Sequence, residues 1–224
     1  MNGEFYWMEN NYISVTYNEK ERPKTKYPQQ LVQHLIKKFD IKKDSILLDT
    51  GSGRLEFLES FENEGLTCYG IDLDVYDNKK IFKVNLETEK LPFDDNTFDV
   101  VYSKSMLEHI HRPQSYMKEV LRVLKPEGKF IVLVPNWLTS IYLYFYDSDH
   151  KQPYTEAALS DLLKISGFKD VQTEEFFQLP ILWKYPVLKI VSKFLQIFGC
   201  PKRIVKNKFI RWSRETMVLG SCKK

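Results

Sequence analysis

The 224-residue sequence is poor in cysteine, and its three, Cys68, Cys200 and Cys222, fall at no paired spacing of the kind that holds zinc or shuttles electrons. A disulfide-built fold is excluded, and a reducing cytoplasm is the simplest setting. Long uncharged apolar runs are missing as well. No stretch reaches the roughly 18 residues that a spanning helix needs, and the opening MNGEFYWMENN lacks the basic-then-apolar order of a signal peptide. The expectation is a chain that at most lies on a membrane. Repeats and low-complexity tracts are absent too, and the length suits one elaborated domain with a full core.

The net charge of +3 is small but unevenly divided. Phe176 to Lys224 holds eleven Lys/Arg against one acid, Glu215, which leaves 22 basic and 29 acidic residues before it. The body is mildly acidic and the tail strongly basic.

The stretch SILLDTGSGRLEFL, Ser45 to Leu58, organises what is present. Ile46, Leu47 and Leu48 read as a strand buried on both faces, ending at Asp49. Gly51 and Gly53, with Ser52 between them, then let a ligand lie against the main chain, and helical spacing resumes over Arg54 to Phe61. A dinucleotide fingerprint would place its third glycine at Glu56, where a carboxylate would face a pyrophosphate, so a nicotinamide cofactor is disfavoured. An acid before the first glycine, Asp49, suits a ligand carrying an ammonium group.

Before this stretch, Met1 to Lys26 reads as a cover segment, and Tyr27 to Phe39 as an amphipathic helix with Leu31, Leu35 and Phe39 in register. After it, Thr67 to Ile71 is a second buried strand with Asp72 at its end. Asp72 lies 21 residues past Gly51, near the spacing at which a carboxylate accepts from both hydroxyls of a ribose, with Leu73 beside it. Lys80 to Val84, Phe98 to Tyr102 and Lys129 to Val134 give three further strands, with a helix over Pro113 to Leu124. Pro135 to Pro153 is an aromatic loop ending in DSDH. Thr155 caps a helix that stops at Gly167, and Val171 to Phe177 is a sixth strand. Gln178 to Trp212 separates it from the last one, Thr216 to Ser221.

The glycine stretch resembles the D-x-G-x-G-x-G segment of class I S-adenosylmethionine (SAM) methyltransferases, with Leu55 in place of the last glycine. That departure implies a slightly displaced helix start. The later order, LPF-D-D-N-T-FD-V-V, then LEH, then RVLKPEGKF, looks like the large family of small-molecule methyltransferases and extends the resemblance over Ser45 to Gly167. It implies an α/β, Rossmann-like sheet of seven mostly parallel strands, the last antiparallel, with helices on both faces. The corresponding divisions are a cover segment (1–26), a SAM-binding core (27–177), an insertion (178–212) and the last strand (213–224). It also implies that Asn85, standing for the family's Asp, and Leu86 hold the adenine edge, while Ser103, Lys104 and Ser105 flank the departing methyl. SAM is the implied cofactor and S-adenosylhomocysteine its product.

Chain geometry directs the insertion and the aromatic loop to the ligand face, where both would roof the acceptor. Val187, Leu188, Ile190, Val191, Phe194, Leu195, Ile197 and Phe198 form an apolar face, opposed by Lys189, Ser192, Lys193 and Gln196. Such a segment, 184–214, can touch an anionic membrane or grip a phosphorylated acceptor, while the favoured reading is a lid helix packed on its own domain with a solvated basic face. His109 and His150 are the candidate bases, needed if the acceptor is a hydroxyl, and oxygen is the expected target of a small, glycan or lipid-linked acceptor. In metal-assisted O-methyltransferases the pattern E-x-x-E-H occupies this place; here Ser105 replaces the first Glu, and no metal requirement is expected. Rival readings are a nucleic-acid binder using the basic tail and a non-catalytic relative of the fold.

Overall fold

A computed structural model describes residues 23–73 and 80–224, so most of the cover segment lies outside the described residues. In chain order its elements are α1 (Tyr27–Phe39), β1 (Ile46–Thr50), α2 (Glu56–Asn63), β2 (Thr67–Asp72), β3 (Ile81–Lys83), β4 (Phe98–Lys104), α3 (Pro113–Val123), β5 (Leu124–Pro135), α4 (Trp137–Ser140), α5 (Glu156–Ile165), β6 (Lys169–Phe176), α6 (Pro180–Lys184), α7 (Lys189–Gln196), α8 (Lys208–Arg214) and β7 (Met217–Lys223). The strands form one sheet in the order β3-β2-β1-β4-β5-β7-β6. β7 runs antiparallel to both its neighbours, and the other pairings are parallel. The expected class and strand count are therefore the observed ones.

Alternation along the central strands explains why the runs lack polar residues. Leu47 and Leu48 project to opposite faces, as do Val100 and Val101, and each face is covered. α1 and α2 bury Leu31, Leu35, Leu58 and Phe61 on the side of Leu47 and Val100. α3 and α5 bury Tyr116, Met117, Leu159 and Leu163 on the side of Leu48 and Val101. Thr155 caps α5 by accepting from Ala158 N at 3.2 Å, as its sequence position predicts.

β5 starts earlier than hydropathy suggests, because Leu124 already pairs with Phe98 before the KPEG residues bulge out and pairing resumes at Val100 with Lys129. From β1 the sheet grows through β2 to β3, then returns to β4 on the other side of β1. That reversal leaves a crevice at the carboxyl ends of β1 and β4, where ligands of open α/β sheets bind.

The segment between β6 and β7 packs beside α1. Trp183 stacks on His34 with ring centroids 4.7 Å apart and donates from Nε1 to Phe177 O at 2.8 Å. Tyr27 contacts both Trp183 and Trp212. α7 packs on its own domain through Ser192, which is fully buried and bonds Ser213 at 2.8 Å, and through half-buried Gln196, which with exposed Lys193 engages Glu175. Its lysines are solvated, but so is most of its apolar side: Ile190, Val191 and Phe194 are exposed, and Leu195 is half-buried.

Candidate active site

The glycine turn is held by hydrogen bonds that only a tight bend permits. Gly51 N and Ser52 N both donate to Ile71 O, at 2.8 and 3.1 Å, tying the end of β1 to β2. Gly51 has φ +83, and a Cβ there would lie 2.7 Å from Met106 Cγ, so this position requires glycine twice over. Leu55 answers the question its sequence raises. It adopts φ 66 and ψ 3, the left-handed conformation a glycine would take, at a cost of about 1–2 kcal/mol. The turn thus keeps a glycine-like path, and α2 begins at Glu56 instead of Arg54. Glu56 is paired with Arg54 at 2.6 Å.

Beneath the turn lies buried charge. Asp49 is almost fully enclosed, and burial, reinforced by the nearby Asp72 carboxylate and opposed by Lys104, pushes its pKa up to about 8. Asp72 accepts from Gly53 N at 2.8 Å, so the acid at the end of β2 is held against the turn. Burial lowers the pKa of Lys104, against the pull of Glu108 and Asp49, and its Nζ donates to Ser105 Oγ at 3.3 Å. An acid that ionises when a cation arrives, set beside a glycine turn whose own N–H groups are spent on Ile71 and Asp72, suits a ligand with an ammonium group.

A cavity of about 250 Å³ opens over this turn. Of the residues named from sequence, Gly51, Gly53, Asp72, Leu73, Asn85, Leu86, Ser105 and His109 line it. Asp49, Ser52 and Ser103 lie buried behind the wall, and Lys104 and His150 are not among its lining residues. Asn85 Oδ1 accepts from Glu87 N at 3.0 Å and, having two lone pairs, can accept once more. Met106, Glu87, Asp149 and Lys151 also line the cavity, and sequence reasoning misses all four. Met106 sits inside the SMLEHI run and Lys151 directly follows DSDH, so local sequence holds a signal only for their segments. Lys151 Nζ lies 3.7 Å from both Glu87 and Asp149 carboxylates, linking the β3 loop to the aromatic loop.

At the cavity wall His109 Nδ1 lies 3.0 Å from Asp149 Oδ2 and 3.2 Å from Asp149 O. Both partners can only accept while the carboxylate is ionised, so Nδ1 carries the proton and Nε2 is the basic nitrogen. His150 stands behind, ring centroid 4.8 Å from that of His109, and its Nδ1 donates to Tyr144 O at 2.7 Å. Burial, then the His109 charge, lower its pKa, which keeps it neutral near pH 7. Glu108 is fully buried 3.9 Å from His150 Nε2, and burial pushes its pKa up to about 8. Glu108, His109 and His150 thus bring one donor atom each within 4.8 Å of one another, a convergence that the distance of His150 along the chain hides.

A mostly parallel sheet with this strand order and an antiparallel β7, an acid-lined glycine turn and an acid at the end of β2 together define a class I SAM-dependent methyltransferase. Residues 18–173 match the family described as "Methyltransferase domain", and the chain belongs to that family. It is 32% identical over 180 residues to an uncharacterised protein of Methanocaldococcus jannaschii, covering 78% of this chain and 79% of that one. It is also similar to the sterol 4-C-methyltransferase strm-1 of Caenorhabditis elegans, 28% identical over 70% of this chain and about half (49%) of that one. In fold it resembles a SAM-dependent methyltransferase from Archaeoglobus fulgidus, with a TM-score of 0.66 at 20% identity over 96% of this chain and 100% of that one. The enzyme class and the cofactor, SAM, are those expected from the sequence. Among the described residues, no helix is long and apolar enough to cross a membrane.

Proposed function

We propose that the chain methylates an oxygen of a small-molecule, glycan or lipid-linked acceptor in the cytoplasm, with contact to an anionic membrane through 184–214. The observation that carries this reading is the shared cavity wall on which the glycine turn, Asp72, Asn85, Leu86, Ser105 and the Asp149-held imidazole of His109 meet. SAM, when bound, supplies a methyl group on a sulfonium that is already its own leaving group. Asp49, behind the turn, takes the ammonium end; Gly51, Ser52 and Gly53 let the amino-acid part lie close against the main chain; Asp72 and Leu73 take the ribose, and Asn85 and Leu86 the adenine. Ser105 borders the reacting end, with Ser103 and Lys104 supporting it from behind the wall.

The chain's own work is then placement and one proton. Fixing an acceptor against a bound methyl donor can supply up to about 7–11 kcal/mol in well-oriented systems. His109 Nε2 removes the hydroxyl proton, with Asp149 positioning the ring and stabilising the imidazolium, and His150 buttresses it. No metal is required in this reading, since Ser105 contributes no charge where the metal-assisted pattern has Glu, and Lys104 already brings a cation to Glu108.

SAM consumption measured against sugar nucleotides, lipid-linked sugars, quinone precursors and amines tests the proposal. Turnover with a hydroxyl-bearing acceptor supports it, and turnover with amines alone would refute the oxygen assignment. Calorimetry without any SAM binding would favour a non-catalytic relative, and tight, salt-sensitive RNA or DNA binding the nucleic-acid reading.

A further inference from the structure

We propose that α7 and the loop after β5 form one docking face for an anionic lipid bilayer, which presents the acceptor; the second clause rests on the methyl-transfer reading above. The first observation is the uncovered apolar side of α7. Ile190 and Phe194, with Ile197 just past the helix end, are 70%, 59% and 76% exposed, while Ser192 is fully buried. An amphipathic helix that turns its apolar side to solvent has its second apolar partner outside the chain.

A second exposed apolar group lies beside it. Leu138, Tyr142, Phe145 and Tyr146 of the loop after β5 are all exposed. Cys200 Sγ donates to Leu138 O at 2.9 Å, and Lys202 Nζ sits 5.7 Å from the Tyr142 ring centroid, so the two groups adjoin. β5 and β6 run parallel, which brings the loop and the insertion out at the same edge of the sheet as the cavity.

Charge selects the occupant. Residues 178–214 contain no acid, and Lys184, Lys189, Lys202, Arg203, Lys206 and Lys208 make no ion pair with any described residue. A protein core would leave these cations unpaired, whereas anionic headgroups around an apolar interior pair them and accept the apolar side chains together. Aromatic side chains such as Tyr142 and Tyr146 suit the headgroup boundary. The same loop that exposes Leu138 to Tyr146 carries Asp149 and Lys151 to the cavity wall, so docking sets the cavity close to the bilayer surface.

The test is cosedimentation of the full chain with vesicles of phosphatidylcholine alone or of equal parts phosphatidylcholine and phosphatidylglycerol, alongside SAM calorimetry. Wild type should pellet with the anionic vesicles only, and less in high salt. F194D/I197D should lower partitioning at least about tenfold, and K202E/R203E should remove the preference for anionic vesicles, both with unchanged SAM affinity. Equal pelleting of wild type and F194D/I197D would overturn the proposal, as would a concentration-dependent dimer that F194D/I197D abolishes. Failure of wild type to bind SAM while it still pellets with anionic vesicles would refute the enzyme reading and leave the docking face standing. Methylation of a water-soluble headgroup as fast as of the same group in vesicles would overturn the bilayer-presented acceptor.

Discussion

The crevice at the carboxyl ends of β1 and β4 and the segment between β6 and β7 depart from ordinary side-chain burial in opposite directions. The crevice buries ionisable groups: burial pushes the pKa of Asp49 and Glu108 up to about 8 and lowers that of Lys104. The segment exposes carbon while burying Ser192 and Ser213. Each arrangement costs stability in an isolated chain. In the readings proposed above each is relieved by something that binds, an amino-acid-bearing nucleoside in the first case and a lipid surface in the second. Departures from burial rules are what single out the two regions, both at the same end of one sheet.

The contrast is most sharply broken at Gly51. Gly51→Val combines left-handed strain with the collision against Met106, and SAM affinity should fall by roughly 100-fold or more in calorimetry. His109→Ala should lower kcat by about 100-fold while SAM affinity stays within a few-fold, measured by single-substrate kinetics with a hydroxyl acceptor. The two regions separate again in stability. Leu182→Ala, at the buried root of the insertion, should cost about 2–4 kcal/mol in denaturant unfolding. Phe194→Ala, four-tenths covered on the outward side of α7, should stay within about 0.5 kcal/mol.

Asp49 gives the comparison a pH axis. Burial holds its pKa near 8, so before a ligand binds it is largely protonated at pH 7. An ammonium ligand favours the ionised form, so binding expels a proton and affinity rises with pH from 6 to about 8. Asp49→Asn should flatten that rise and weaken SAM binding about tenfold at pH 8, with proton release read by calorimetry in buffers of different ionisation enthalpy. The smallest expected effect is that of EDTA, which should leave turnover unchanged. Loss of activity restored by a divalent ion would make Glu108, His109 and His150 a metal centre.

Most of the fold was legible because parallel strands buried on both faces must be apolar along their whole length, and glycine and proline mark the turns between them. Ile46 to Leu48, Thr67 to Ile71 and Phe98 to Tyr102 each read directly as strands for that reason. Local spacing likewise reached the glycine turn and Asp72, because both belong to one strand–turn–helix–strand unit.

The orientation of α7 was not legible. Its pattern of apolar and basic positions fixes two faces but not which one meets the protein, and only Glu175 and Ser213, brought in from β6 and α8, draw the polar face inward. The meeting of His109 with Asp149 and His150 has the same origin. Residues 40 positions apart come together only when the loop after β5 folds back over the end of β4. What neighbours along the chain dictate, the sheet, the glycine turn and the acids beside it, could be read from the residues in order. The meeting of His109 with Asp149 and His150 and the outward apolar face could not, since both depend on contacts between segments that share no local pattern.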